Sequence, residues 1–274
     1  MPAINTNVAA LFAQQSLKVN ERNQSNAMRQ LSTGSRVNTA ADDAAGMAIG
    51  QNMTGQVRGL NQAVRNLNDG VNMMQTAEGA LGETSNMLQR MRELAVQSAN
   101  GTYSNTQRTY LQSEFSALSS QIGKIATDTK WNDQTLLSTA ATSFTFQAGK
   151  DNGQTVAVVI GDMSLTGLVI PATTTSIGTS TSALTSLALL DAAIGLVNNQ
   201  RANIGAGINQ MTYAVDNISN VASNAAASRS SIMDTDYATA STWLSKTQII
   251  QQAATAMLAQ ANQQPQAVLS LLKQ

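Results

Sequence analysis

The chain has no cysteine, no histidine and only three prolines in 274 residues. Without cysteine there is neither a disulfide framework nor a thiolate metal site. Without histidine the commonest general base and the commonest metal ligand are missing together. No Ser-His or Cys-His pairing exists, so an enzyme is not expected. Charge is scarce too: 12% of residues are charged, and 16 basic side chains offset 16 acidic ones. That is about half the usual charged share, and a neutral surface does not repel its own copies. No Lys/Arg cluster offers the concentrated positive charge that nucleic acid requires. At 4%, aromatics are too few for a stacking platform. The stretch MPAINTNVAALFAQQSLKVN lacks the basic start and continuous apolar core of a secretory signal. No run of about 18 apolar residues suggests a bilayer span. The expectation is a soluble chain with no membrane insertion, cofactor or metal, exported, if at all, by a route other than the ordinary signal peptide.

What is present is helical periodicity. The prolines are Pro2, Pro171 and Pro265, so nothing forbids long helix between Ala3 and Ile170. Met53, Leu60, Leu67, Met74, Leu81 and Leu88 recur every seven residues, and Val57, Val64 and Val71 follow the first three by four. This is an a/d seam whose 3.5-residue repeat implies a left-handed supercoil. A helix over roughly 45–99 would be about 80 Å long, which few globular cores can cover. Asn100-Gly101 closes it, with glycine suited to the left-handed cap position. Leu111, Phe115, Leu118, Ile122 and Ile125 then mark a second helix. Its partner lies far along the chain, where Leu187, Leu190, Ile194, Val197, Ile204, Ile208, Met211, Val215, Ile218, Ala222 and Ala225 keep 3/4 spacing, interrupted only by Arg201. The expected fold is mainly α: a long antiparallel helical bundle, or coiled-coil rod, with paired N- and C-terminal helices and a small β-hairpin region.

The hairpin is expected from the alternation in Ser143–Gln147, the β-branched run Thr155–Ile160 and the turn residues Gly149–Gly153. PATTTSIGTSTSALTS reads as a Ser/Thr-rich loop or small decoration. The two ends mirror each other. Ile4, Val8 and Leu11 begin one stripe; Trp243, Ile250, Ala254, Met257, Ala261, Val268 and Leu271 form another. Breaks at LSTGSRVNTAADD and SRSSIMDTDYA set both stripes apart from the rod. The organisation is terminal helices at 1–42 and 235–274, a helical rod at 43–142 and 183–234, and a hairpin with loop at 143–182, leaving a reduced or absent outer domain.

Chemistry-bearing motifs read as structure. Asp42-Asp43 and Asp234-Thr-Asp236 each precede a helix, where carboxylates satisfy free N–H groups, and capping outweighs a metal site at both. Gly46, Gly50, Gly55 and Gly59 lack a following Lys-Ser/Thr, so they suggest close helix approach rather than a phosphate loop. The terminal stripes could lie on a membrane, on the rod or on other copies of the chain. Their polar face is Gln, Asn and Thr with one late Lys273, which disfavours a membrane surface. Other copies are the preferred partner. Such tails are expected to order on assembly, and Pro265 to kink or restart the last helix.

Four segments carry a resemblance: INTNVAAL at the start, LSTGSRVNTAADDAAGMAIGQNM over 31–53, LQRMRELAVQSANGT over 88–102, and SKTQIIQQAATAMLAQANQQPQAVLSLL over 245–272. In this order and spacing they resemble the bacterial flagellin family over roughly 1–135 and 185–274. The resemblance implies a structural subunit that polymerises head-to-tail into the helical flagellar filament used for swimming. It implies terminal helices lining an inner tube, with Ile4, Val8, Leu11, Trp243, Ile250, Ala254, Met257, Ala261, Val268 and Leu271 in the polymerisation interface. Implied partners are other copies, filament cap and junction proteins and an export chaperone, and the implied location is extracellular. It further implies contact with the animal innate immune receptor for flagellin through Gln89, Arg90, Glu93, Leu94 and Glu114. Where many members carry a basic residue before the Asp pair, this chain has Ala41. The alternatives are a hook–filament junction protein of the same export apparatus, which matches the C-terminal segment less well, and a surface binding protein.

Overall fold

The computed structural model describes residues 7–138, 141–171 and 175–271, with side chains of the last helix described through residue 263. Five helices and two small hairpins account for the regular structure among the described residues: α1 (Val8–Thr33), α2 (Ala44–Ala99), α3 (Asn105–Asp128), β1 (Lys130–Trp131), β2 (Gln134–Thr135), β3 (Thr142–Gln147), β4 (Thr155–Ile160), α4 (Ser180–Met233) and α5 (Tyr237–Leu271). Contacts divide the chain into two compact units, 1–57 with 223–274 and 58–222. The division falls within α2 and α4 rather than at the two breaks.

In the unit over 58–222, three helices form an antiparallel bundle. Arg92 pairs with Asp191 and Arg201 with Glu78, each at 2.6 Å, so position rises on α2 as it falls on α4. Arg90 meets Glu114, and the Arg108 guanidinium donates to the Asn100 carbonyl, so α3 also runs back along α2. The heptad leucines and methionines from Leu60 to Leu88 are buried against Phe115 and Ile122 of α3 and Leu190, Val197, Ile204 and Met211 of α4. Met53, the first of the heptad series, is only half-buried. Arg201, which interrupts the α4 stripe in the sequence, sits at its edge and is held by Glu78. By length and composition α4 is apolar enough to cross a membrane, contrary to the sequence expectation. Its seam leucines and isoleucines are core residues here.

β3 and β4 pair antiparallel from Thr142↔Ile160 to Gln147↔Thr155. Val156, Val158 and Ile160 alternate inward, as the period-two pattern requires. Two glycines seat this hairpin. A Cβ on Gly70 would lie 2.9 Å from both Met211 Sδ and Phe146, and one on Gly207 would lie 2.6 Å from Val158 Cγ2. Buried Gln200 completes the seat, donating to the Val159 carbonyl at 3.0 Å and accepting from the Gly161 N–H at 3.1 Å. The Lys130–Thr135 hairpin, with Asn132 and Asp133 at positive φ, was not anticipated. Two-residue strands carry too little alternation to be seen, although the Asn-Asp turn was a signal. The Ser/Thr-rich segment is loop over 175–179 and then opens α4, and it is docked on its surroundings. Leu168, Ile170 and Ile177 are buried, and serine hydroxyls dock the segment: Ser98 donates to the Ile177 carbonyl, Ser180 to Ala99 and Ser186 to Ser176.

In the other unit α1 lies along α5. Asn7 caps α1, its side chain accepting from the Ala10 N–H, and Gly34 ends it at φ 70°. Asp43 Oδ1 accepts from the Gly46 N–H at 2.8 Å and caps α2. Gly50 makes the predicted close approach, since its Cβ would lie 2.4 Å from Met233 Sδ; Gly55 faces open space and needs another reason. The helix expected to kink or restart at Pro265 continues to Leu271. Hydrogen bonds from the Thr39 backbone and hydroxyl hold the Asp42 carboxyl below its ordinary value of 3.8. At Asp236 the Thr239 hydroxyl and the Ala238 N–H do the same.

Two outcomes follow. Gly207→Ala should destabilise the 58–222 unit by about 1–3 kcal/mol despite better helix propensity, because Val158 is β-branched and cannot swing away. Gly195→Ala, with nothing within 4 Å of its Cβ, should stabilise by up to about 1 kcal/mol. Chemical denaturation of both variants checks the contrast. For Asp236, a depressed carboxyl gives stability that is present above 3.8 and lost as pH falls through the folded-state value. Asp236→Ala should lower the thermal midpoint of the terminal unit at neutral pH, and the difference from the parent should shrink as pH falls below 3.8.

Candidate self-association surface

The pairing of α1 with α5 uses a seam made mostly of small and amide side chains, with four half-buried leucines among them. On α1 the inward positions are Ala10, Ala13, Leu17, Asn20, Gln24, Ala27 and Leu31; on α5 they are Ala240, Leu244, Thr247, Gln251, Ala254, Leu258 and Ala261. Both series step by three and four, the a/d repeat of an antiparallel coiled coil. Asn20, 5% exposed, donates to the Thr247 carbonyl at 2.8 Å, and Asn7 donates to the Ala261 carbonyl at 2.8 Å. Side chains this small bring the helices close, but they bury little apolar area.

Most of the larger apolar residues are on the outside. Val8, Leu11, Trp243, Ile250 and Met257 are all exposed. Phe12 at 76% and Met257 at 68% show the most surface. The structure thus splits the single C-terminal seam read from the sequence. Ala254 and Ala261 face α1, whereas Trp243, Ile250 and Met257, themselves seven residues apart, form a second and uncovered stripe. A run of i, i+3, i+4 apolar residues on a helix apolar around much of its girth cannot show which sub-stripe faces inward. Sequence reading also missed Phe12, Val19 and Ile249, which extend the exposed faces. Phe12, adjacent to Leu11 and four residues after Val8, was the available signal. Ile4 lies outside the described residues, as do the side chains of Val268 and Leu271.

At the roots of these helices the two breaks meet. Ser35 and Asp234 form an antiparallel bridge, the Arg36 N–H donates to the Met233 carbonyl at 2.7 Å, and the Thr235 N–H donates to the Gly34 carbonyl at 2.9 Å. Arg36 Nη2 also donates to the Ile232 carbonyl at 2.6 Å and lies 3.9 Å from Asp43. Arg36 thereby provides a cation near the Asp pair where position 41 does not.

On α2 and α3, Gln89, Arg90, Glu93 and Glu114 are exposed. Arg90 bridges Glu93 and Glu114 at 2.9 Å each, and both bonds, Glu93 first, raise its already high pKa. Leu94 is different: at 1% exposure it is a core residue, so this patch is made of the other four. It points inward because it shares the inner face of α2 with Met91 and Ala95.

Comparison with known proteins places this architecture. The model of the bacterial flagellin N-terminal helical region matches residues 4–142, and that of the C-terminal helical region matches 187–272. The chain is 39% identical to a flagellin of Halalkalibacterium halodurans over 270 residues, covering 98% of this chain and 99% of that one. It is 39% identical to the flagellar filament 33 kDa core protein of Treponema phagedenis, with the same coverage. The crystal structure of Bacillus cereus flagellin, 32% identical, superposes with a TM-score of 0.51 over 56% of this chain and 88% of that one. A putative flagellar hook-associated protein of Vibrio parahaemolyticus shares the fold at 14% identity, with a TM-score of 0.61 over 70% of this chain and 100% of that one. Matching models at both ends, and full-length relatives over the uncovered terminal helices and the bundle alike, show that the chain belongs to the bacterial flagellin family.

Proposed function

We propose that this chain is a structural subunit that polymerises into the bacterial flagellar filament, with the outward faces of α1 and α5 as the surface through which copies join. One observation carries the reading: the bulkiest apolar residues of both terminal helices are exposed although the two helices are paired. Isolated exposed leucines or valines mean little, but aligned stripes on adjoining helices mark an interaction surface. A head-to-tail interface whose rotation does not close into a ring repeats without end, and the product is a helical filament. The full-length likeness to flagellar filament proteins supports this reading over a junction protein. The shared fold of the hook-associated protein says nothing against it, since at 14% identity the likeness is to the fold alone.

Within the same reading, the interface comprises Val8, Leu11, Phe12, Trp243, Ile250 and Met257, with Ile4, Val268 and Leu271 continuing it. Cap and junction proteins would meet the same faces at the filament ends, an export chaperone would cover the C-terminal helix beforehand, and the assembled product would be extracellular. The exposed cluster of Gln89, Arg90, Glu93 and Glu114 is the contact for an innate immune receptor, with Leu94 supporting it from below.

Seeded growth on filament fragments, followed by electron microscopy, tests the main claim. The full chain should elongate into tubes of regular helical symmetry, and Met257→Asp should slow elongation at least about tenfold, as expected for a buried hot spot. Removal of residues from Ile249 onward should abolish growth while circular dichroism shows the remaining helices intact. Persistent monomers of the full chain would refute the reading. For the receptor, soluble chain should activate receptor-bearing cells, and Arg90→Ala or Glu114→Ala should reduce potency about tenfold; unchanged potency would remove that assignment.

A further inference from the structure

The seam between α1 and α5 does not explain its own register. Three contacts define that register. Asn7 reaches Ala261, Asn20 reaches Thr247, and the Tyr237 hydroxyl donates to the Leu31 carbonyl at 3.2 Å. In each the two residue numbers add to 267 or 268. This register sets Leu17 opposite Gln251 and Gln24 opposite Leu244. A slip of one heptad, about 10 Å along the axis, would instead level Leu17 with Leu258, Leu31 with Leu244 and Gln24 with Gln251. Like would then meet like. Because both series repeat every seven residues, the slip keeps a seam residue at every seam position, and apolar matching if anything favours it. Asn20 is no obstacle, since a helix offers a carbonyl at every turn.

Something other than the seam therefore holds the helices where they are. The bonds joining Gly34–Arg36 to Met233–Thr235 have that property. Ser35↔Asp234, Arg36 with Met233, and Thr235 with Gly34 all add to 269, the same register continued to the roots of the helices. A strand bridge admits no seven-residue slip without breaking, and Gly34, at φ 70°, turns α1 directly into it. Arg36 adds a second bond across the bridge, to the Ile232 carbonyl.

We propose that this backbone clasp sets the register of the terminal helices, with Arg36 and Thr235 as its positioning residues, and so decides which outward residues stand level for self-association. At the sum of 267 or 268 that the helix contacts give, Phe12 stands one to two residues from level with Met257, and Val19 one to two residues from level with Ile250. A one-heptad slip changes these partners: in one direction Val19 moves to Met257 and Phe12 to residue 264, and in the other Phe12 moves to Ile250 and Val19 to Trp243, so the register selects which apolar residues meet. The last step rests on the filament-subunit reading; the register itself does not.

The test exploits the absence of cysteine from the chain. The pair Ala13→Cys with Ala254→Cys reports the observed register, while Ala13→Cys with Thr247→Cys, or with Ala261→Cys, reports a slip in either direction. With the clasp intact, the first disulfide should form at least about tenfold faster than either other, a difference of about 1.4 kcal/mol. Thr235→Pro removes the N–H that reaches Gly34 and should bring the three rates within about twofold, with helicity by circular dichroism retained. Thr235→Val keeps that N–H and loses only a buried hydroxyl that has no partner, so it should behave as the parent. Arg36→Ala should reduce the preference about threefold. Equal rates in the parent, or a preference that survives both Thr235→Pro and Arg36→Ala, would overturn the clasp. The same variants in seeded growth separate the two claims. Slower growth with scrambled cross-links supports the whole proposal, while scrambled cross-links with normal growth would overturn the link from register to assembly. A parent that never elongates refutes the filament reading and leaves the cross-linking result standing.

Discussion

A seam of alanine, asparagine, glutamine and threonine with four half-buried leucines can bring two helices close, but it stabilises them only modestly. Close approach recovers dispersion over many atoms, yet each alanine removes little apolar area from water. Inward amides must be hydrogen-bonded to be tolerated, and Asn20 and Asn7 are bonded to backbone carbonyls of the partner helix. The bulk of the apolar surface on α1 and α5 is thereby left for something else. Were Phe12, Val19, Ile250 and Met257 turned inward, the pair would be a sturdy coiled coil with a polar exterior and nothing to offer another copy. The weakness of the pair and the availability of its outer faces are one design decision seen from two sides.

The unit over 58–222 makes the opposite choice with the same periodicity. One heptad position of its seam holds Leu60, Leu67, Met74, Leu81 and Leu88 on α2 and Leu190, Val197, Ile204 and Met211 on α4, all inside. Ion pairs at the seam margins, Arg92 with Asp191 and Arg201 with Glu78, select antiparallel pairing more than they add stability, since exposed pairs are worth little. Where a hairpin must lie on the helices, glycine replaces the side chain that would block it. Heptad repetition thus builds two objects in one chain, and the identity of the seam residues decides which is complete by itself.

That distinction marks how far the sequence could be read. The helices, their antiparallel pairing and the β3–β4 hairpin were legible because each produces a period, 3.5 or 2, over many residues. Phe115, Ile122 and the α4 stripe fell where the spacing put them. The terminal faces were only half legible. Ala254 and Met257 are three residues apart and both apolar, so no period separates them; only the small size of Ala254 and its series hinted at the inward side. Leu94 shows the same limit from the other direction, as a buried residue within an otherwise exposed patch that lies off the heptad series read from the sequence. The Ser/Thr-rich segment is loop over 175–179 as its composition suggested, but composition gave no sign that Ile177 is buried or that Ser180 donates to the Ala99 carbonyl. The meeting of Gly34–Arg36 with Met233–Thr235 had no local signal, because the two stretches lie about 200 residues apart and contribute one bridge.

Low charge gives these details their weight. In most assemblies, wrong pairings are rejected by like charges brought together, and correct ones are steered by opposite charges. With 12% charged residues and a formal net charge of zero, this chain has little of either. Alanine-rich and glutamine-rich faces tolerate many neighbours, so specificity has to come from where the few large apolar residues stand. Position along a helix pair is a matter of register, and register in a repetitive seam has to be set by a feature that does not repeat. The bridge at Ser35 and Asp234 is such a feature, and it sits where the two terminal helices begin. A surface this neutral can be selective only where geometry, rather than charge, fixes which residues meet.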